Sequence, residues 1–441
     1  MNRSISRSNQ LYKRAKALMP GGTQLLSKRP EMFAPDQWPA YYQRANGIEI
    51  EDMDGNTFLD MCYMGIGSCT LGYADPDVNE QVIASISNGS MSTLNTPLEL
   101  KLADILLDIH SWADCVKYAR SGGEAMAIAT RLGRAASGKD KVLFSGYHGW
   151  HDWYLSSNIG PSDALGEWHL LPGLRPMGVP KSLEGTAIPF QYNNIDQFRQ
   201  IISANHGEIG VVIVETVRNI IPDLKFFEEI KSVCKSLGIV FILDEITSGF
   251  RLNMGGAHLK YGIEPDVAVF GKTMSNGFPM SAIVGKREVL ECAQQTFVSS
   301  LNWTECVGPA AAIATIEKMN SINIFEHTSD LGIRMQDIWT EAAKSHGVDI
   351  TITGPIPQLS LFSFNGNKSL ETKTYYIQEM LNCGYLTTTA FYPSWAHSEK
   401  HLNEFEKTVG DIFAKISLLQ KTNDIDSAIN GPICHTGFNR L

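Results

Sequence analysis

Two apolar runs end in groups that can do chemistry. Ile239–Leu243 leads into Asp244 and Glu245, and Val267–Phe270 leads through Gly271 into Lys272. One strand–helix–strand connection separates them, so both polar ends should reach the same edge of a sheet. Ligands of open α/β sheets collect beyond the carboxyl ends of the strands. A lysine approached through an apolar strand is partly desolvated, which favours the neutral, nucleophilic amine. An aspartate held nearby can stabilise a cationic ring nitrogen. A pyridoxal phosphate site needs those two functions, a Schiff-base lysine and a pyridinium partner. In sequence the same pair also reads as a plain ion pair at a strand end.

Other strand ends carry polar groups too. Lys141–Phe144 runs into Ser145-Gly146-Tyr147-His148, and Val211–Val214 runs into Glu215. An aromatic ring after a strand can stack on a flat cofactor. Ser121-Gly122-Gly123-Glu124-Ala125 opens a helical run, and small residues there leave backbone N–H groups for a phosphate, although an ordinary cap has the same sequence. His148 and His151 form an HxxH pair with no further ligand spacing, so no metal site is expected.

These residues need a scaffold. Short apolar runs at 141–144, 211–214, 239–243 and 267–270 alternate with helical stretches at 123–136 and 224–237. Such alternation predicts a parallel sheet with helices on both faces. Pro97–His110 has helical spacing, and 47–60 reads as a hairpin turning at Asp54-Gly55. Beyond about residue 305 the pattern is mostly helical, at 305–319, 324–345, 371–382 and 398–420. The fold class is therefore α/β, with a large domain over 65–310. A smaller α+β lobe is built from both chain ends, 1–64 and 311–441.

Composition narrows the function. With 37 Lys+Arg against 47 Asp+Glu the formal charge is −10, which argues against a nucleic-acid partner. No run of about 18 apolar residues suggests a membrane span. The N-terminal stretch lacks the apolar core of a secretory signal and reads as an amphipathic helix with Leu11, Ala15 and Leu18 on one side. Eight scattered cysteines without a CxxC pair suggest reduced thiols in the cytoplasm.

From about Leu11 to residue 420 the chain resembles the class III, fold type I pyridoxal-phosphate aminotransferases, especially the glutamate-1-semialdehyde aminomutase branch. The landmarks come in family order. Pro20-Gly21-Gly22 and Asp52-Met53-Asp54-Gly55-Asn56 precede the Ser121–Ala125 block and Tyr147-His148-Gly149. Val214-Glu215, Asp244–Arg251, Pro265-Asp266, Gly271-Lys272 and Gly277-Phe278-Pro279-Met280 follow. The resemblance implies pyridoxal 5′-phosphate as cofactor and a homodimer with shared active sites. It implies a small-molecule amino donor, glutamate, and a carbonyl acceptor, with intramolecular aminomutase transfer as the alternative.

It also implies roles. Lys272 would carry the Schiff base and move the proton. Asp244 would pair with the ring nitrogen, with Tyr147 on the ring face and His148 among the cofactor contacts. Gly122 and Gly123 would give N–H groups to the phosphate, and Thr304 would reach the phosphate in the neighbouring subunit. Glu215 falls near the cofactor's 3′-oxygen, or is a strand-end carboxylate pairing with Arg251.

Three positions depart from the family. Gly123 stands where Ser or Thr is usual, which removes one hydroxyl contact to phosphate. Lys28, followed by Arg29, takes the place of the aminomutase substrate arginine, and lysine is a point charge without a bidentate fork. Thr389 replaces an aminomutase glutamate that faces the cofactor. These changes weigh more against aminomutase chemistry than against cofactor binding. Trp150 and the inserted-looking segment 155–185 suggest a larger, hydroxylated substrate, although the aromatic side chains suit packing equally well. The 431–441 tail, with Cys434, His435 and Arg440, is expected either to fray or to cover the partner's site.

Overall fold

The computed structural model describes residues 5–160, 164–166, 169, 173–217 and 219–436. Two compact units make up the chain. A central unit runs Pro76–Ile322, and a terminal unit combines Met1–Asp75 with Asn323–Leu441.

A seven-stranded sheet forms the centre of the central unit. Its strands are β1 (Cys115–Ala119), β2 (Lys141–Ser145), β3 (Ala187–Pro189), β4 (Ile209–Glu215), β5 (Val240–Asp244), β6 (Val267–Phe270) and β7 (Ser281–Gly285). Their order is β1-β7-β6-β5-β4-β2-β3. Only β7 runs antiparallel to its neighbours β1 and β6. The pairs from β3 through β2, β4 and β5 to β6 are parallel.

Every residue of β4, β5, β6 and β7 is buried, and such continuous apolarity marks strands covered on both faces. The helices that matter are α1 (Pro76–Ser87), α2 (Pro97–Ile109), α3 (Gly122–Ser137), α4 (Ile195–Ala204), α5 (Leu224–Leu237), α6 (Ala257–Tyr261) and α7 (Val307–Ser321). Side chains alternate across a strand. Val211 and Ile242 accordingly lie against Gly133 of α3. Val212, Val214, Phe241 and Leu243 join Phe226, Phe227, Ile230 and Cys234 of α5 in another core. Burying each large apolar side chain contributes roughly 1.5–3 kcal/mol.

The helix ends follow local chemistry. Ser121 caps α3 in a reciprocal box with Glu124, and Gly138 ends it in the left-handed conformation. Asp223 caps α5 through Lys225 N–H, and Gly238 closes it. Helix α7 packs on α1 and α2. Residues 311–322 accordingly belong to the central unit, while 65–75 belong to the terminal one.

The terminal unit holds two small sheets. Tyr42–Asn46, Glu49–Asp52, Thr57–Asp60 and Tyr385–Leu386 form one, and Ile350–Gly354, Ser360–Phe364 and Ala390–Phe391 form the other. The hairpin expected over 47–60 forms, with Glu49 opposite Leu59 and Glu51 opposite Thr57, and Asp52 organises its turn by accepting from Asp54 and Asn56 N–H. Long helices Ile324–His346, Ser369–Asn382 and Glu399–Thr422 pack around Trp339, Phe362, Tyr376 and Phe413.

Beyond residue 305 the four expected helices are present, at Val307–Ser321, Ile324–His346, Ser369–Asn382 and Glu399–Thr422, with the strands at 350–354, 360–364, 385–386 and 390–391 between them. Two other expectations are met differently. The N-terminal helix, Ser6–Leu18, buries Ser8, Tyr12 and Ala15, while Leu18 is 70% exposed. Tyr12 turns that face inward by donating to Glu31 at 2.8 Å. The tail does not fray as far as residue 436. Cys434 is buried and its N–H donates to Thr374 Oγ1, while His435 N–H donates to Glu31 O. Arg440 and the rest of 437–441 lie outside the described residues. Among the described residues no helix is long and apolar enough to cross a membrane.

Buried histidines set an acid sensitivity. Burial pushes His110 and His169 down to about 4 and His397 down to about 3. The folded protein resists these protons, whereas unfolded histidine accepts them near its ordinary value of about 6.5. Their stabilising contribution is therefore complete above pH 6.5 and is lost as pH falls toward 4 and 3. Urea unfolding at pH 7.5 and 5.0 should show lower stability and greater proton uptake at pH 5.0. Equal stability at both pH values would contradict the burial assignment.

Candidate active site

Strand register brings the candidate residues together. Glu215 at the end of β4 pairs with Asp244 at the end of β5, and Asp244 pairs with Val269 of β6. Lys272 follows three residues later, just beyond the carboxyl end of β6. Ser145, which leads into Tyr147 and His148, pairs with Val214. One sheet edge therefore carries Tyr147, His148, Glu215, Asp244 and Lys272.

Asp244 is 4% exposed. Its Oδ2 takes a hydrogen bond from His148 Nδ1 at 2.8 Å, and its Oδ1 accepts from Ile246 N–H at 3.0 Å. The other imidazole nitrogen of His148 lies 3.3 Å from Ser145 O. His148 is itself 1% exposed and stacks beside Trp153. A buried carboxylate is costly unless bonded, and these donors satisfy both oxygens and fix its direction. His148 therefore meets Asp244, while His151 lies elsewhere, against Gly123.

Lys272 has φ +42°, a left-handed conformation that costs a non-glycine residue energy and clusters at functional sites. Its Nζ donates to Thr247 Oγ1 at 3.0 Å. Thr247 lies in the turn after Asp244, so one turn sets both groups. The turn is anchored by Glu245, which is fully buried and accepts from Ala257 N–H, His258 N–H, His258 Nδ1 and the Ser248 hydroxyl. Those bonds and the His258 ring hold the Glu245 carboxyl below the usual range against the opposing effect of burial.

Glu215 accepts from Tyr147 N–H at 3.0 Å. Gly146 makes this approach possible: its φ is +120°, and a Cβ there would meet Glu215 Oε2 at 2.6 Å. Arg251 Nε donates to Thr247 O. Tyr147 is 36% exposed, with Tyr154 edge-on behind it.

Gly122 and Gly123 open α3. A Cβ on Gly122 would meet Ile246 Cδ1 at 2.8 Å, so the helix start comes close to the turn after Asp244. Arg120, just upstream, is a residue the sequence reading passes over. It donates to Glu305 Oε1 at 2.7 Å, Trp303 O at 2.9 Å and Glu305 O at 2.8 Å. This guanidinium ties the start of the glycine loop to the segment bearing Thr304, which is exposed. A cation directly before the glycines was the available signal.

Trp150 is 69% exposed and stacks on His151, at the glycine-loop end of the site. Lys28, Arg29 and Thr389 belong to the terminal unit. Lys28 is exposed, Arg29 is half-buried, and Thr389 O accepts from Phe362 N–H.

The residues present fit pyridoxal phosphate. Lys272 supplies a primary amine, Asp244 a bonded buried carboxylate, Tyr147 an open ring face, and Gly122-Gly123 a side-chain-free helix start. The seven-stranded sheet and this edge define a fold type I pyridoxal-phosphate transferase. The aminotransferase class-III profile matches residues 32–407, and the chain belongs to that family; its cofactor is pyridoxal phosphate.

Glutamate-1-semialdehyde 2,1-aminomutase of Citrifermentans bemidjiense is 30% identical over 424 residues, covering 92% of this chain and 97% of that protein. The 3-aminobutyryl-CoA aminotransferase of Cloacimonas acidaminovorans is 29% identical, covering 85% and 88%. Among solved structures, the FumI protein of Sphingopyxis sp. MTA144 superposes with a TM-score of 0.85 at 22% identity, covering 95% of this chain and 98% of that one.

Replacing His148 tests how Asp244 is held. His148→Ala leaves that carboxylate with one fewer donor, which costs about 1–3 kcal/mol. Cofactor affinity should fall about 10-fold, with a shifted absorbance spectrum, and His148→Asn should lose less. Unchanged affinity and spectrum in His148→Ala would show that His148 only packs.

Proposed function

We propose that the protein is a homodimeric aminotransferase that takes its amino group from glutamate and passes it to a carbonyl acceptor. The observation that supports this reading is the convergence of Lys272 and Asp244 through the single turn Asp244–Thr247.

Bound pyridoxal phosphate supplies an aldehyde that condenses with primary amines and a ring that absorbs an electron pair. The chain's residues divide the remaining work. With that group bound, Lys272 would hold it through its primary amine and would move the proton at the donor's α-carbon. Asp244, oriented by His148, would stabilise a cationic ring nitrogen. Tyr147, and Glu215 fixed by Tyr147 N–H, would help hold the ring. The Gly122 and Gly123 N–H groups would bind the phosphate at the positive end of α3. Lys28 and Arg29 offer cations for the substrate carboxylate. Trp150 and Thr389 also take substrate-facing roles in this reading.

Exposed apolar side chains support a dimer. Leu94, Leu100, Phe297 and Leu301 are each at least two-thirds exposed. Cys306 N–H donates to Ser90 O, which joins the segment after Thr304 to the one before Leu94. Thr304 then serves the phosphate of the neighbouring subunit. The eight free cysteines suit the reducing cytoplasm.

Half-reactions test the reading. Holoprotein mixed with glutamate should release one equivalent of 2-oxoglutarate per site, and Lys272→Ala should slow that release by at least ~10²–10⁴-fold. Normal turnover in Lys272→Ala would overturn the assignment. Amino transfer within glutamate 1-semialdehyde, with no keto acid released from any donor, would make the protein an aminomutase instead.

A further inference from the structure

The start of α3 shows what fills the place of the family's missing hydroxyl. A Cβ on Gly123 would stand 3.1 Å from both Nδ1 and Cε1 of His151, and 3.7 Å from Trp150 Cδ1. One edge of the imidazole thus occupies the space that a serine or threonine side chain would enter. Gly149, with φ +106°, brings this loop so close that a Cβ there would lie 3.1 Å from Gly123 Cα. Trp150 stacks on the His151 ring, with centroids 4.4 Å apart and planes 25° apart, and so fixes its tilt.

His151 Nδ1 is buried and has no hydrogen-bond partner among the described residues. An unmet buried polar atom costs about 1–3 kcal/mol. The nearby Glu124 carboxylate is turned to the cap, its Oε2 accepting from the N–H groups of Arg120 and Ser121. Burial lowers the His151 pKa, with Glu124 and Asp152 opposing that shift. A neutral ring still carries one N–H.

We propose that His151 Nδ1–H donates to the cofactor phosphate and replaces the hydroxyl contact that Gly123 has given up. The proposal rests on the reading above, in which Gly122-Gly123 cradles that phosphate. It makes His151 and Gly123 a compensating pair. The residue that removes a donor from the helix start also clears the space from which a different donor reaches in.

Titration of apoprotein with pyridoxal phosphate, and separately with pyridoxal, tests this. His151→Ala should weaken pyridoxal phosphate about 10- to 100-fold, the range for a hydrogen bond to a charged group, and leave pyridoxal unchanged. His151→Phe keeps a ring against Trp150 but has no N–H, and should lose as much. Gly123→Ser added to His151→Ala should recover most of the affinity. Equal affinity of wild type and His151→Phe for pyridoxal phosphate would overturn the proposal, as would equal losses for both ligands. Wild-type protein that binds the two ligands equally well would instead overturn the phosphate-cradle reading. Borohydride labelling of Lys272 in each variant reports separately on the amine.

Discussion

The site depends on holding one fully bonded carboxylate inside a protein core. Asp244 closes a strand in which every residue is buried, and it is nearly inaccessible itself. Without partners its burial would be costly. His148 and the Ile246 N–H bond its two oxygens and aim it. The chain supplies both by local means, one from the loop after β2 and one from the turn that Asp244 itself begins.

That turn links several otherwise separate features. Thr247 receives the Lys272 amine, Glu245 anchors the turn to α6, and Ile246 packs against the glycine start of α3. Amine, carboxylate and the glycine start of α3 are thus referred to one short segment of backbone. Mispositioning by 1 Å is costly in catalysis, and a common origin limits such errors. Arg120 extends the same logic to the segment bearing Thr304. It is mostly buried beside Glu305, where loss of either partner would leave a charge unpaired.

Much of the fold was legible because buried parallel strands have an unmistakable pattern. The runs at 141–144, 211–214, 239–243 and 267–270 each became strands within two residues of the expected bounds. Cys115–Ala119 escaped because its mixed, half-buried side chains match neither template, and Ala187–Pro189 is too short to show a period. The strands at 350–354 and 360–364 were hidden by alternation set between long helices. Helical spacing puts Leu11, Ala15 and Leu18 on one side of the N-terminal helix, whereas the Tyr12–Glu31 bond accompanies burial of the side bearing Ser8, Tyr12 and Ala15. The site motifs stood out as residue types at strand ends. Arg120 did not, and Thr247 and His151 were visible only as a member of the Asp244–Arg251 block and as half of an HxxH pair, since their roles depend on what the fold makes them face.

The central claim is that the Lys272 amine and the Asp244 carboxylate address a single bound ring. Borohydride reduction of the holoprotein, followed by peptide mass spectrometry, tests it most directly in parallel on wild type and Asp244→Asn. A pyridoxyl label confined to Lys272 in both, with the ring-protonated absorbance lost in Asp244→Asn, is the predicted result. A label on another lysine, or a spectrum indifferent to Asp244→Asn, would contradict it.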